Sequence, residues 1–141
     1  MDLSDLAEAA TSGLRPVAEK KGLALRTRFT DPARVTGDPI LVRHLITNLV
    51  GNGLQYNRPD GGVDVDLDGA TLTVTNTGRP VDPDRVQDLF EPFRRLGQDR
   101  TSTSGHGLGL SIVRSIARAH GADLHAEPGP DGGLRVTVRF V

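Results

Sequence analysis

The sequence predicts an α+β fold: a two-layer α/β sandwich with one mixed, mostly antiparallel sheet covered by helices. Three observations lead there. Segments with helical spacing of apolar residues (3–21, 39–56 and 110–120) are interleaved with segments of period-two alternation (24–30, 63–67, 70–77, 122–126 and 134–140). Asp68-Gly69 lies between two of the alternating segments, a hairpin signal. At 141 residues the chain is expected to form one domain, 1–141, with a core of its own.

The first helix is expected over 3–21, with Leu3, Leu6, Ala10, Leu14 and Val17 as its apolar stripe. Asp2 or Ser4 can cap it, and Lys20 and Lys21 suit its negative end before Gly22. Pro16 lies inside this run, so a kink or break is expected near Arg15. Asp38-Pro39 opens a second helix, with an aspartate cap and proline at the first helical position. Its apolar positions are Leu41, Leu45, Ile46, Leu49, Val50 and Gly53. His44, Asn48, Asn52 and Tyr56 fall four apart and form one ridge. Asparagine is a poor interior helix residue, so two in register suggest a shared task. A solvated helix face is usually rich in Glu and Lys, and this helix has neither. Asp82-Pro83 opens a short helix over 82–90.

Composition excludes several classes. The net charge of −1 gives no basic field for nucleic acid, and none is expected as a partner. Without cysteine there are no disulfides, thiolate metal sites or cysteine nucleophile. No apolar run of about 18 residues is present, and no signal-peptide pattern. The four histidines (44, 106, 120 and 125) have no ligand spacing that would build a metal site.

The most informative stretch is Gly105-His106-Gly107-Leu108-Gly109-Leu110-Ser111-Ile112-Val113-Arg114. Alternating glycines before a helix let backbone N–H groups converge without obstruction by a Cβ, and the helix N-terminus adds partial positive charge. That suits phosphate. Just before it, 97–104 is polar with no apolar anchor, and mobility is expected there.

Four segments, in order, resemble the catalytic, ATP-binding domain of bacterial two-component sensor histidine kinases, of the superfamily shared with gyrase, heat-shock chaperones and mismatch-repair ATPases. Asn48 to Tyr56 is similar to its N box, Asn76-Thr77-Gly78-Arg79-Pro80-Val81 to its G1 box, Phe90-Glu91-Pro92-Phe93-Arg94-Arg95 to its F box, and Gly105 to Arg114 to its G2 box. The resemblance implies ATP and Mg²⁺ as ligands. Asn52 would hold the metal, with Asn48 near the phosphates. Tyr56 would border the purine or ribose. Gly105, Gly107 and Gly109 would give backbone donors to phosphate, beside His106, with Leu108 and Leu110 holding the loop to the core. Asn76, Gly78 and Val81 would line the base end, and residues 97–106 would form a lid over ATP.

Three positions depart from the family pattern. Asn76 replaces an aspartate that accepts from the adenine amino group. An asparagine keeps an acceptor oxygen, and on sequence grounds Asn76→Asp is expected to tighten binding slightly. Pro80 replaces a glycine. Gln55 replaces a basic residue, so γ-phosphate charge would fall to Arg94, Arg95 or Arg100.

The implied reaction is transfer of the γ-phosphoryl group to a histidine on a separate dimerisation and phosphoacceptor domain, with a response regulator downstream. No histidine here has the acceptor setting, an acidic neighbour followed by a proline. The chain is therefore expected to be a cytoplasmic, monomeric catalytic fragment of a longer sensor, a class of parent that the resemblance allows to be membrane-anchored. Two other readings compete: a nucleotide-binding module without phosphotransfer, and an anti-sigma-factor serine kinase. A hydrolase of the same superfamily would need a glutamate where Asn48 stands. The four glutamates (8, 19, 91 and 127) all lie elsewhere.

Overall fold

The structure, a computed structural model, describes residues 1–91 and 109–141. Its elements are α1 (Leu3–Lys21), β1 (Ala24–Thr30), α2 (Pro39–Gln55), β2 (Gly62–Asp68), β3 (Thr71–Asn76), a 3-10 helix (Pro83–Phe90), α3 (Gly109–Ala119), β4 (Asp123–Pro128) and β5 (Leu134–Arg139). The strands form one sheet in the order β1-β2-β3-β5-β4. Only β1 and β2 run parallel, because α2 carries the chain back between them. The other pairs are antiparallel. The predicted sandwich is therefore the observed one, and the predicted strands differ from the observed ones only at their ends.

Alternation in the strands divides the sheet into two chemically distinct faces. Leu25, Val63, Val65, Leu67, Leu72, Val74, Leu134, Val136 and Val138 point at the helices and are buried. The other face is polar, and its residues align strand by strand. Arg26 and Arg28 on β1 stand opposite Asp64 and Asp66 on β2. Those aspartates face Thr75 and Thr73 on β3, which neighbour Arg135 and Thr137 on β5. Arg135 and Arg139 stand opposite Glu127 and Asp123 on β4. Close ion pairs join the rows: Arg26–Asp64 at 2.6 Å, Arg139–Asp123 at 3.2 Å and Arg135–Glu127 at 3.5 Å. The Asp64 carboxylate raises the affinity of the Arg26 guanidinium for its proton, by hydrogen bonding and then by charge.

The helices bury one face each. In α1 the buried residues are Leu3, Ala7, Ala10, Thr11 and Ala18, while Val17 is exposed. Of the expected stripe, Leu3 and Ala10 are buried and Leu6 and Leu14 are half-buried against the core; Val17 turns outward, and Ala7, Thr11 and Ala18 join the packed face. The break expected at Pro16 does not occur, and α1 runs unbroken for 19 residues. Pro16 and Ser12 are both exposed. The Ser12 carbonyl that loses its N–H partner therefore opens to water, which removes much of proline's usual cost. Asp2 caps α1 by accepting from the Ser4 hydroxyl and N–H, bonds that hold its carboxyl below the ordinary aspartate range.

In α2, Val42, Leu45, Ile46, Leu49, Val50 and Leu54 are buried, whereas Leu41 is exposed. Asp38 caps the helix, accepting from Ile40 N–H at 2.9 Å and Leu41 N–H at 3.3 Å. The far end of α3 is pinned to the same cap. His120 Nε2 accepts from Asp38 N–H at 3.1 Å, while Nδ1 lies 2.9 Å from the Ile116 carbonyl. Asp38→Ala is expected to destabilise the fold by about 1 kcal/mol, the usual worth of such a cap. Urea unfolding measures this, and an unchanged midpoint would mean that the cap contributes nothing.

Candidate functional site

The helices and the sheet part at one end of the sandwich, leaving a cleft of about 670 Å³. Its helical wall carries Asn52, Gln55 and Tyr56 from the last turns of α2. Its opposite wall is the exit of β3, with Asn76, Arg79, Pro80 and Val81. Leu89, Leu110 and Leu134 supply apolar surface between them, and Gly133 contributes bare backbone.

The α2 ridge emerges as expected from its spacing. Asn48, Asn52 and Tyr56 are half-buried on one side of the helix, and His44 at the far end is exposed. Asn48 Nδ2 donates to the His44 carbonyl at 2.9 Å, so part of its polarity is spent within the helix. Its Oδ1 faces the start of α3: a Cβ at Gly109 would stand 3.8 Å away. Asn52 makes no side-chain hydrogen bond to another described residue. α2 approaches β3 closely because Gly53 lacks a side chain. A Cβ there would lie 3.1 Å from the Asn76 Cβ.

Asn76 is 8% exposed at the end of β3. Its Nδ2 donates to the Thr77 carbonyl at 2.8 Å. The turn joining β4 and β5 folds onto this segment. Gly133 N–H donates to the Arg79 carbonyl at 2.8 Å, and Gly129 N–H to the Gly133 carbonyl at 3.0 Å. Gly133 has φ +70°, and a Cβ on it would stand 2.7 Å from Asn76 Nδ2 and closer still to the Asn76 carbonyl. Gly78 is equally constrained: its Cβ would sit 2.8 Å from the Tyr56 carbonyl.

Of the residues singled out from sequence, Asn52, Gln55, Tyr56, Asn76, Val81 and Leu110 line this one cleft. Gly78 lies behind its wall, and Asn48 and Gly109 meet beside it. Arg95, Arg100, Gly105, His106, Gly107 and Leu108, with the lid expected over 97–106, lie outside the described residues. Sequence reasoning missed Asn57, Arg58, Arg79, Leu89, Gly133 and Leu134, all of which border the cleft. For Gly133 a signal was present, since Gly132-Gly133 stands directly before an alternating strand. A smaller cavity of about 240 Å³ between the 3-10 helix, α3 and β4 includes Arg114, which pairs with Glu91 at 2.9 Å.

A two-layer sandwich with a cleft between a polar helix ridge and the end of a strand, bare backbone at Gly133 in its wall, suits the nucleotide-binding class of domain. Residues 37–141 match the family of histidine kinase-, DNA gyrase B- and HSP90-like ATPases, and the chain belongs to that family. It is 44% identical to the sensor protein CutS of Streptomyces coelicolor over 147 residues, covering 98% of this chain and 35% of CutS. It is 36% identical to the sensor histidine kinase CpxA of Escherichia coli over 125 residues, covering 86% of this chain and 27% of CpxA. The chain thus spans about a third of the length of such relatives. In fold it is similar to a mycobacterial sensor histidine kinase, MprB, with a TM-score of 0.84 at 24% identity over 99% of this chain and 95% of that one. Among the described residues no helix is long and apolar enough to cross a membrane.

Proposed function

We propose that this chain binds Mg·ATP in the cleft between α2 and the end of β3. It then presents the γ-phosphoryl group to a histidine on a separate dimerisation and phosphoacceptor domain. The observation that carries this reading is the placement of Asn52 and Asn76 on opposite walls of one cleft, with apolar surface between them. A volume of about 670 Å³ is of the size that small ligands and cofactors occupy. Its two polar ends divide the work. Asn76 meets the base, and the half of the ridge nearer α3 meets the phosphates, where the helix N-terminus adds favourable charge.

Asn52 fits a magnesium ion by its chemistry. Mg²⁺ takes oxygen ligands and keeps several waters, so one amide oxygen together with phosphates serves it. When bound, the ion would neutralise charge on the phosphates. The protein's share is positioning, which is most of what phosphoryl transfer asks of it. No carboxylate stands on the ridge to activate water: Asn48 is an amide whose Nδ2 donates to the His44 carbonyl, and His44 itself lies exposed at the far end. The reading therefore favours transfer over hydrolysis. It places the domain on the cytoplasmic side of a sensor kinase, upstream of a response regulator.

Calorimetry with ATP, with and without Mg²⁺, tests the binding half. Incubation with γ-labelled ATP tests the rest. The isolated chain is expected to bind Mg·ATP, to release phosphate slowly and to carry no label. Addition of a helical phosphoacceptor domain from a CutS-like sensor is expected to yield an acid-labile label on that domain. Fast phosphate release, or label on the isolated chain, would contradict the reading.

A further inference from the structure

A chain of hydrogen bonds runs behind the base end of the cleft and ends on Asn76. It begins at Asn57, the second residue after α2. Asn57 Nδ2 donates to the Gly53 carbonyl at 2.9 Å and the Gly62 carbonyl at 3.0 Å. Asn57 Oδ1 accepts from Arg58 N–H at 2.8 Å and from the Thr77 hydroxyl at 2.5 Å. That hydroxyl accepts in turn from Gly62 N–H at 2.9 Å. Thr77 N–H donates to the Gly62 carbonyl at 3.1 Å, so Thr77 is held through both backbone and side chain. Its carbonyl then takes Asn76 Nδ2 at 2.8 Å. The cluster is tightly closed, for a Cβ on Gly61 would collide with both Asn57 Oδ1 and Thr77 Oγ1.

Donor and acceptor chemistry fixes the direction of the last link. A carbonyl oxygen only accepts, so the Asn76 group beside it is the NH₂ and not the oxygen. The Asn76 oxygen is left without a donor among the described residues, on a side chain that lines the cleft. We propose that Asn57 and Thr77 are positioning residues that lock the Asn76 amide with its oxygen available to the bound base. The chain would thereby prefer a 6-amino purine to a 6-oxo purine through a neutral acceptor of fixed direction. This rests on the nucleotide reading above. It also reverses the expectation for Asn76→Asp. A carboxylate would set an anionic oxygen against the Thr77 carbonyl, where a donor is needed, and ATP binding should weaken.

The test compares affinities for ATP and ITP, which differ at the purine 6-position. The wild-type chain is expected to prefer ATP. Thr77→Val removes the hydroxyl and should reduce the ATP/ITP ratio by about tenfold, the scale of one hydrogen bond that positions another. Thr77→Ser restores the hydroxyl and should keep the wild-type ratio. A role confined to stability would weaken both ligands alike, and an unchanged ratio in Thr77→Val would overturn the proposal. A second measurement needs no variant: in the wild-type chain one Asn76 Nδ2 hydrogen should exchange slowly with and without ATP. An amide that turns over when ATP is added would also overturn it. A wild-type chain that binds neither nucleotide would overturn the nucleotide reading itself. One that binds both equally would overturn the base selection alone.

Discussion

Replacement of Asn52 by alanine is expected to lower the affinity for Mg·ATP by roughly ten- to a hundredfold, the worth of a polar contact to a charged group. The dependence of affinity on Mg²⁺ should flatten with it. Asn52 is the ridge residue that faces the cleft without a hydrogen bond to another described residue, so its amide oxygen is available to an ion. Removing it leaves no buried partner stranded, and folding stability should change little. Asn48→Ala gives the contrast. Asn48 spends its Nδ2 on His44, so its loss should reduce affinity less. The measurement is calorimetry across a series of Mg²⁺ concentrations. A full metal dependence surviving in Asn52→Ala would show that the ion is held elsewhere.

The second large effect belongs to Gly133. Alanine there is expected to cost roughly 2–4 kcal/mol of stability and to remove detectable ATP binding. Two causes add. The residue has φ +70°, which an alanine adopts only at a cost of about 1–2 kcal/mol. The new methyl would also press on the backbone and amide of Asn76. Gly69 separates the two causes: it has φ +62° but open space around it. Gly69→Ala should therefore show the conformational cost alone, with ATP affinity intact. Equal behaviour of the two variants in urea unfolding and ATP titration would remove the role assigned to the β4–β5 turn.

These positions mark where the sequence could be read and where it could not. α2 was legible from end to end, because Asp38-Pro39 and the four-residue spacing of its asparagines are local signals. The sheet was legible because period-two alternation runs through each of its strands. α1 was harder. The expected Leu3, Leu6, Ala10 and Leu14 do pack on the core, but Val17 does not, and Ala7 and Ala18 do, small residues to which hydropathy gives little weight. Proline statistics misjudged Pro16 because the cost depends on exposure, which a single sequence does not display. The ridge side of the cleft was found because its residues share one helix. The far side is assembled from β3, the β4–β5 turn and the residues after α2, which are distant in sequence. No local pattern joins Asn57 to Thr77.

The polar face of the sheet bears on how two copies of this domain can meet. Among the described residues the edge strands are β1 and β4, and an unpaired edge invites another strand. β1 presents Arg26 and Arg28; β4 presents Asp123 and Glu127. A two-fold dimer formed through either edge would set arginine rows against each other, or carboxylate rows against each other. Both closed arrangements bring like charges together, a repulsion reduced where Arg26, Asp123 and Glu127 already pair with Asp64, Arg139 and Arg135. Only the head-to-tail arrangement, β1 of one copy on β4 of the next, brings opposite signs together, and that arrangement does not close into a pair. The charge rows on the polar face thus weigh mildly against symmetric pairing of this domain through its sheet.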